Sequence, residues 1–394
     1  MERPLLNRRL TGMGTTIFAE MSATAISTGS VNLGQGFPDT DGPREVAEAA
    51  AAAILAGHGN QYPPGPGVPE LRQAIAVHQK RFYGLDVNPD REVLVTAGAT
   101  EGIAAALVAL MEPGDEAITF EPYYDSYAAS VAMAGGVRVP VPLRPPEFRP
   151  DIGALRAAIT PRTRLILLNS PHNPTGVVFT REEISEIAAV AREHDLLVVT
   201  DEVYEHLVFE GEHVPIATLP GMWERTVTIS SAGKTFSFTG WKIGWVTGSP
   251  ELVSAVKTVK QFLTYVSGGP FQYAIAEALA MPDAYYAAIS ADLRGKRDLL
   301  CAGLAELGFE VYRPAGTYFV TTDIAPLGET DGMQFCRDLP GRAGVVAIPS
   351  SVFYDNAAAG RTQIRFAFCK KEEVLREALR RLAGSAPAQP RRGG

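Results

Sequence analysis

The chain reads as an α/β protein, with a mostly parallel sheet in a large domain followed by a smaller α+β domain. Three observations predict this. Five short apolar runs, at residues 93–97, 117–120, 165–169, 196–200 and 226–230, alternate with stretches of helical periodicity such as 181–194. From about residue 285 the pattern changes to one long helical stretch followed by shorter strands. The length, 394 residues, exceeds what one small core uses and corresponds to about two or three domains.

Residues 1–40 show no sustained period and read as an arm that packs on the smaller domain or on a second subunit. Residues 41–285 form the large domain. Its first strand, VLVTA, runs into Gly98, Ala99, Thr100 and Glu101, which open the alanine-rich helix GIAAALVALM. AITF leads into the aromatic cluster EPYYDSY, and LILLN into NSPHNPTG, whose Asn, Pro, Thr and Gly make a tight turn. LLVVT ends just before Asp201, and TVTIS just before Ser231. In sheets of this kind helices cover both faces and ligands gather at the carboxyl ends of the strands. Side chains more than a hundred residues apart therefore converge on one crevice. The smaller domain, residues 286–383, begins with ISADLRGKRDLLCAGLAELG and continues with strands near 309–312, 317–322 and 364–368. Residues 384–394, GSAPAQPRRGG, have a disordered composition.

Composition excludes several function classes. Lys plus Arg number 36 against 44 Asp plus Glu, a net charge of −8, so no broad nucleic-acid or anionic-membrane surface is expected and any anion site is local. No apolar stretch approaches the roughly 20 residues of a membrane helix. The N-terminus carries charge without an apolar signal core, and Cys301, Cys336 and Cys369 are unclustered, which predicts a cytoplasmic protein without a disulfide frame. The six histidines show no metal-ligand spacing with one another or with cysteines, so no metal is expected.

The chemistry centres on Lys234. It follows a strand within SSAGK, where small residues let the backbone approach a ligand, and precedes TFSFTGWKIGW, poor helix material but good lining for a flat, anionic cofactor. That placement suits Schiff-base chemistry. Asp201 could pair with a pyridinium nitrogen, and Tyr204 and Asn173 could reach a ring hydroxyl. Ala99 and Thr100, at a helix start, with Ser231 and Lys242, could cradle a phosphate, and Tyr124 could stack on the ring. These are the five features a pyridoxal phosphate site needs. Arg365, inside the apolar strand QIRFAF, requires an anionic partner, and a guanidinium suits the α-carboxylate of an amino acid. A structural ion pair for Arg365 and a plain core role for Phe18 and Tyr124 stand as alternatives. Taken singly, Lys234 reads as an ordinary loop lysine and Asp201 as a helix N-cap. Their joint occurrence decides against that. A phosphate-binding P-loop is excluded, because the required glycine five residues before Gly233 is Thr228.

NLGQGFPD, NQYPPG, NSPHNPTG, TDEVYEH, SSAGKTFSFTGWKIGW and Arg365 together resemble the fold-type I, class I pyridoxal-phosphate-dependent aminotransferases, in order and over nearly the whole chain. Within that family the chain resembles the kynurenine aminotransferase (glutamine transaminase K, cysteine-conjugate β-lyase) branch and bacterial N-succinyldiaminopimelate aminotransferases. The resemblance implies that Lys234 holds pyridoxal 5′-phosphate and shuttles the proton, and that Asp201 takes the pyridine nitrogen. Asn173 and Tyr204 would take the ring oxygen. Ala99, Thr100, Ser231 and Lys242 would take the phosphate, with Tyr62 arriving from the second subunit of a homodimer. Arg365, Asn173 and Gly36 would bind the substrate carboxylate, and Phe18 and Tyr124 would border the side-chain pocket. The implied reaction moves the α-amino group of an L-amino acid to a 2-oxo acid, with N-succinyl-LL-2,6-diaminopimelate and glutamate/2-oxoglutarate as the expected couples. The alternatives are kynurenine, glutamine or methionine as donor, and β-elimination from cysteine conjugates. A cofactor-sensing regulator without turnover would need an attached DNA-binding domain, which the first 40 residues are too short and unpatterned to supply. Two departures stand out: Lys242 where the wider class has arginine, a mark of the kynurenine branch, and Ser267, Gly268 and Gly269 where kynurenine-type enzymes carry bulky residues, which predicts a wider pocket.

Overall fold

The computed structural model describes residues 5–14 and 16–385; the predicted tail from 386 onward lies outside them. The large sheet has seven strands: β1 (Val93–Ala97), β2 (Glu116–Glu121), β3 (Val137–Pro142), β4 (Thr163–Asn169), β5 (Leu197–Asp201), β6 (Thr226–Ser231) and β7 (Ile243–Thr247). Their order is β1-β7-β6-β5-β4-β2-β3, and β7 alone runs antiparallel to its neighbours. The central strands are buried on both faces, which explains the continuous apolar runs that identify them.

The five predicted strands lie within one residue or two of their observed limits. β3 and β7 were not predicted. β3 reads VRVPVP, and its two prolines are tolerated because it is an edge strand, where a missing N–H leaves no partner unpaired. β7 is the end of the aromatic, glycine-rich stretch after Lys234. Its Gly244 lets the strand pass the start of the helix Gly98–Leu110: a Cβ there would lie 2.5 Å from the Gly98 carbonyl carbon.

The second sheet is antiparallel, with β8 (Glu310–Tyr312), β9 (Phe319–Asp323), β10 (Ile348–Pro349) and β11 (Gln363–Ala367) in the order β10-β11-β9-β8. Helices Asp283–Glu306, Gly332–Ala343 and Glu372–Ser385 accompany it. Its core, including Leu300, Val320, Phe366 and Leu375, continues into Tyr204 and Leu207 at the end of β5, so the two sheets share an apolar seam beside the crevice. The last helix runs to Ser385, two residues into the stretch read as tail, because Leu375, Ala378 and Leu382 bury one of its faces.

Arg8–Leu10 packs on the large domain's helix Asp125–Ala134, whereas most of the other described residues before 41 pack on the smaller sheet's side. They contain a helix, Ile17–Thr28, capped by Thr16, whose Oγ1 accepts from the Ala19 N–H at 3.3 Å. Only Met21 and Ala25 of this helix are fully buried, against Val346, Ile348 and Phe353, too thin a stripe to show as a period. Val31–Asn32 then pairs in parallel with Val345–Val346. No helix among the described residues is long and apolar enough to cross a membrane, and the three cysteines are buried free thiols.

Candidate active site

The carboxyl ends of the large sheet's parallel strands open into a cavity of about 420 Å³. Gly98, Ala99 and Thr100 enter it after β1, Tyr124 and Tyr127 after β2, Asn173 after β4, Asp201 and Tyr204 at the end of β5, and Ser231 and Lys234 after β6. Lys242 enters just before β7, Arg365 comes from β11, and Phe18 and Gly36 come from the opening segment. Every predicted site residue but Tyr62 lines this one space. Tyr62 is 82% exposed and stacks edge-on to Tyr265 at 5.6 Å, apart from the cavity of its own chain.

Lys234 stands on the single helical turn Ala232–Thr235. Its Nζ donates to the Tyr318 hydroxyl at 2.9 Å, and that hydroxyl donates to the Gly36 carbonyl at 2.6 Å. Burial, assisted by the nearby Arg365 and Lys242 cations, pulls the amine down to about 8, within reach of the neutral, nucleophilic form.

Asp201 is 5% exposed, and both of its hydrogen bonds come from neutral donors: the Tyr127 hydroxyl at 2.8 Å and the Val203 N–H at 3.3 Å. Burial pushes its carboxyl up to about 6. A cation placed against it would hold it ionised. Asn169 fixes the ends of β4 and β5 by donating from Nδ2 to the Asp201 carbonyl at 2.8 Å and accepting the Asn173 N–H at Oδ1 at 2.8 Å.

Arg365 is 1% exposed, yet it forms no salt bridge among the described residues; its guanidinium donates to Asn173 Oδ1 at 2.8 Å and the Gly34 carbonyl at 3.2 Å. Its buried Nε has no partner. Phe319, Phe353 and Phe18 enclose it, with Cζ 3.9, 4.9 and 5.3 Å from their ring centres, and burial draws the group down to about 10. Among the described residues Asp125, also in the cavity lining, acts on Arg365 only from beyond salt-bridge distance, so a ligand carboxylate would supply the direct anionic partner. Because Asn173 gives its carbonyl oxygen to Arg365, its NH₂ remains to donate into the cavity.

The helix Gly98–Leu110 begins with no side-chain cap, and Lys242 Nζ lies close enough to touch a Cβ at Gly98, at 3.2 Å. Uncapped N–H groups beside an ammonium make an anion seat. Tyr124, pushed up to about 12 by burial, and Tyr204, raised further, stay neutral phenols. Gly36 is fixed by space: a Cβ would fall 2.3 Å from Phe319 and 2.9 Å from Tyr318, the rings that hold Arg365 and Lys234. Gly36→Ala is therefore expected to lower kcat/KM by at least tenfold while leaving the circular dichroism spectrum unchanged; an unaffected rate would show that these rings can move freely.

Sequence reasoning missed Tyr127, Asn169, Tyr318 and Phe319. Tyr127 and Asn169 stood inside the motifs EPYYDSY and NSPHNPTG, whereas nothing in the linear pattern singled out Tyr318 or Phe319. Ser267, Gly268 and Gly269, where a wider pocket is predicted, lie apart from the cavity of their own chain, as Tyr62 does. A Cβ on Gly268 or Gly269 would lie 2.2 Å from Ile243 or from the Gly59 carbonyl oxygen. Their small size serves close packing.

A family model described as aminotransferase class I and II matches residues 28–382. The chain belongs to that family. A curated relative from Mycobacterium tuberculosis, named a probable N-succinyldiaminopimelate aminotransferase, is 54% identical over 386 residues, covering 95% of this chain and 97% of the relative. The solved structure of N-succinyldiaminopimelate aminotransferase from that organism superposes with a TM-score of 0.95 over 97% of this chain and 100% of that one. A methionine aminotransferase from Escherichia coli is 40% identical over 375 residues, covering 95% and 97%. The aminotransferase uses pyridoxal 5′-phosphate, and its cavity fits that cofactor: a buried carboxylate lacking a cation, an uncapped helix start with a lysine for the phosphate, and an amine of lowered pKa between them.

Proposed function

We propose that this aminotransferase takes N-succinyl-LL-2,6-diaminopimelate as amino donor and 2-oxoglutarate as acceptor, and works as a cytoplasmic homodimer. The observation that carries the substrate is the 54% identity to the M. tuberculosis relative over nearly its whole length. A panel of amino donors tests it. The succinylated donor should give the highest kcat/KM; faster turnover of glutamine, methionine or kynurenine would overturn it, and pyruvate and ammonia released without an oxo acid would mark a β-lyase.

In this reading Asp201 holds the pyridine nitrogen, Asn173 Nδ2 and the Tyr204 hydroxyl hold the ring oxygen, and Tyr124 covers a ring face. The Ala99 and Thr100 N–H groups, Ser231 and Lys242 hold the phosphate. When bound, the cofactor supplies an electron sink for the carbon–hydrogen bond at the substrate's Cα. Arg365, with Asn173 and Gly36, would fix the α-carboxylate and so orient that bond, and Lys234 Nζ would accept the Cα proton and hold it for the transfer that completes the half-reaction. Arg365→Ala should cost about 2–5 kcal/mol in kcat/KM for carboxylate-bearing donors, because the lost partner was buried. A change below about tenfold would assign the carboxylate to another group.

Support for the homodimer lies in the exposed aromatic patch of Tyr62, Phe262 and Tyr265, with 82%, 82% and 49% of their surfaces open, which suits contact with a second copy. Tyr62 would reach the second subunit's phosphate. Tyr62→Phe should weaken cofactor binding without changing the mass measured by light scattering.

A further inference from the structure

A second polar cluster lies outside the cavity. His78, on the helix Pro69–Tyr83, meets Glu205 and His206, which directly follow Tyr204. One Nε2 faces the other across 2.7 Å, and the donor atoms of all three residues lie within 4.8 Å of one another. His78 is 1% and Glu205 6% exposed. The rings of Phe82 and Tyr286 close the site, at 4.7 and 4.4 Å from the His206 ring centre. The Glu205 carboxylate is held by the Tyr83 hydroxyl at 2.5 Å and by Ser230. His78 Nδ1 is buried without a partner, so the ring's polar engagement is through Nε2, aimed into the cluster.

Buried histidines and carboxylates are costly unless they are paired or coordinate a metal. Two imidazoles and a carboxylate suit a divalent cation of borderline softness, and hydrogen bonds that steady a carboxylate are the usual outer support of such a ligand. We propose that His78, Glu205 and His206 form a zinc-binding site that clamps the helix Pro69–Tyr83 to the segment carrying Asp201 and Tyr204. On binding, the ring that donates across this contact carries its proton on Nδ1 instead, so that both Nε2 atoms offer lone pairs to the cation. Two nitrogens on one tetrahedral zinc stand about 3.3 Å apart, so the rings part by roughly half an ångström. Linear spacing could not show this, because the two histidines are 128 residues apart.

The test uses the cofactor-loaded, tag-free full chain, dialysed against chelator and titrated with zinc chloride, with bound metal read by elemental analysis and the melting midpoint followed alongside. One zinc per chain and a raised midpoint are expected. His78→Gln and His206→Gln should each weaken binding at least about tenfold, whereas His213→Gln, which alters the neighbouring His213–Glu202 pair, should leave it unchanged. Two variants guard against one that fails to fold. Absence of stoichiometric zinc in the wild type would overturn the proposal, and so would binding undiminished in folded His78→Gln and His206→Gln. Equal loss in His213→Gln would also overturn it, by tying affinity to the cluster's packing rather than to three ligands.

Discussion

Lys234→Ala is expected to abolish turnover, by more than about 10⁴-fold, while leaving the fold intact. The side chain makes one hydrogen bond, to Tyr318, and Tyr318 keeps its second partner at the Gly36 carbonyl when the amine is gone. The space left opens onto an existing cavity, so no sealed void forms. Borohydride should fix the cofactor of the yellow wild-type protein onto Lys234, as peptide mapping would show, and onto nothing in the variant. A variant within tenfold of wild type, or a label on another lysine, would remove Lys234 from its role.

The same substitution has a stability signature in the cofactor-free protein. The amine sits near 8 in the folded chain and about 10.4 when unfolded, so between those values the unfolded chain binds the extra proton and stability rises with pH. The burial cost is fully present below pH 8, at no more than roughly 3 kcal/mol because the cavity admits solvent. Cofactor-free Lys234→Ala should therefore be the more stable protein at pH 7, with the difference shrinking toward pH 10. Melting curves of the two proteins across that range measure it, and parallel curves would show the amine to be unperturbed.

Asp201→Asn is expected to keep bound cofactor yet slow removal of the Cα proton by about 10²- to 10⁴-fold, the loss that follows when a buried charge loses its partner at about 3–5 kcal/mol. The amide fills the same volume and its oxygen can still accept from Tyr127, so packing is preserved. What disappears is the negative charge that keeps a pyridine nitrogen protonated and drawing electrons. Single-turnover kinetics with a Cα-deuterated donor isolate this step, and a rate like that of wild type would take Asp201 out of the scheme.

Much of this molecule was legible in its linear order. β2, β4, β5 and β6 are apolar runs because both faces of a parallel strand are buried, and the polar residues that follow them read as site residues because ligands gather at those ends. β3 and β7 stayed hidden, since prolines mask an edge strand and glycine and aromatic residues mask a strand shaped by close passage past Gly98. Gly268 and Gly269 were ambiguous in the sequence, because a glycine looks the same whether it opens a pocket or admits a neighbouring backbone.

By itself, the sequence determined the class of fold, the family and most of the residues that meet at the crevice, because strand periodicity, turn chemistry and motif order are written along the chain. Only the tertiary structure decided that Arg365 forms no salt bridge among the described residues, that Tyr318 links Lys234 to Gly36, and that His78 reaches Glu205 and His206. Each of these is a meeting of segments remote in sequence. Such meetings are set by how helices and sheets pack, and packing leaves no periodic trace in either segment alone.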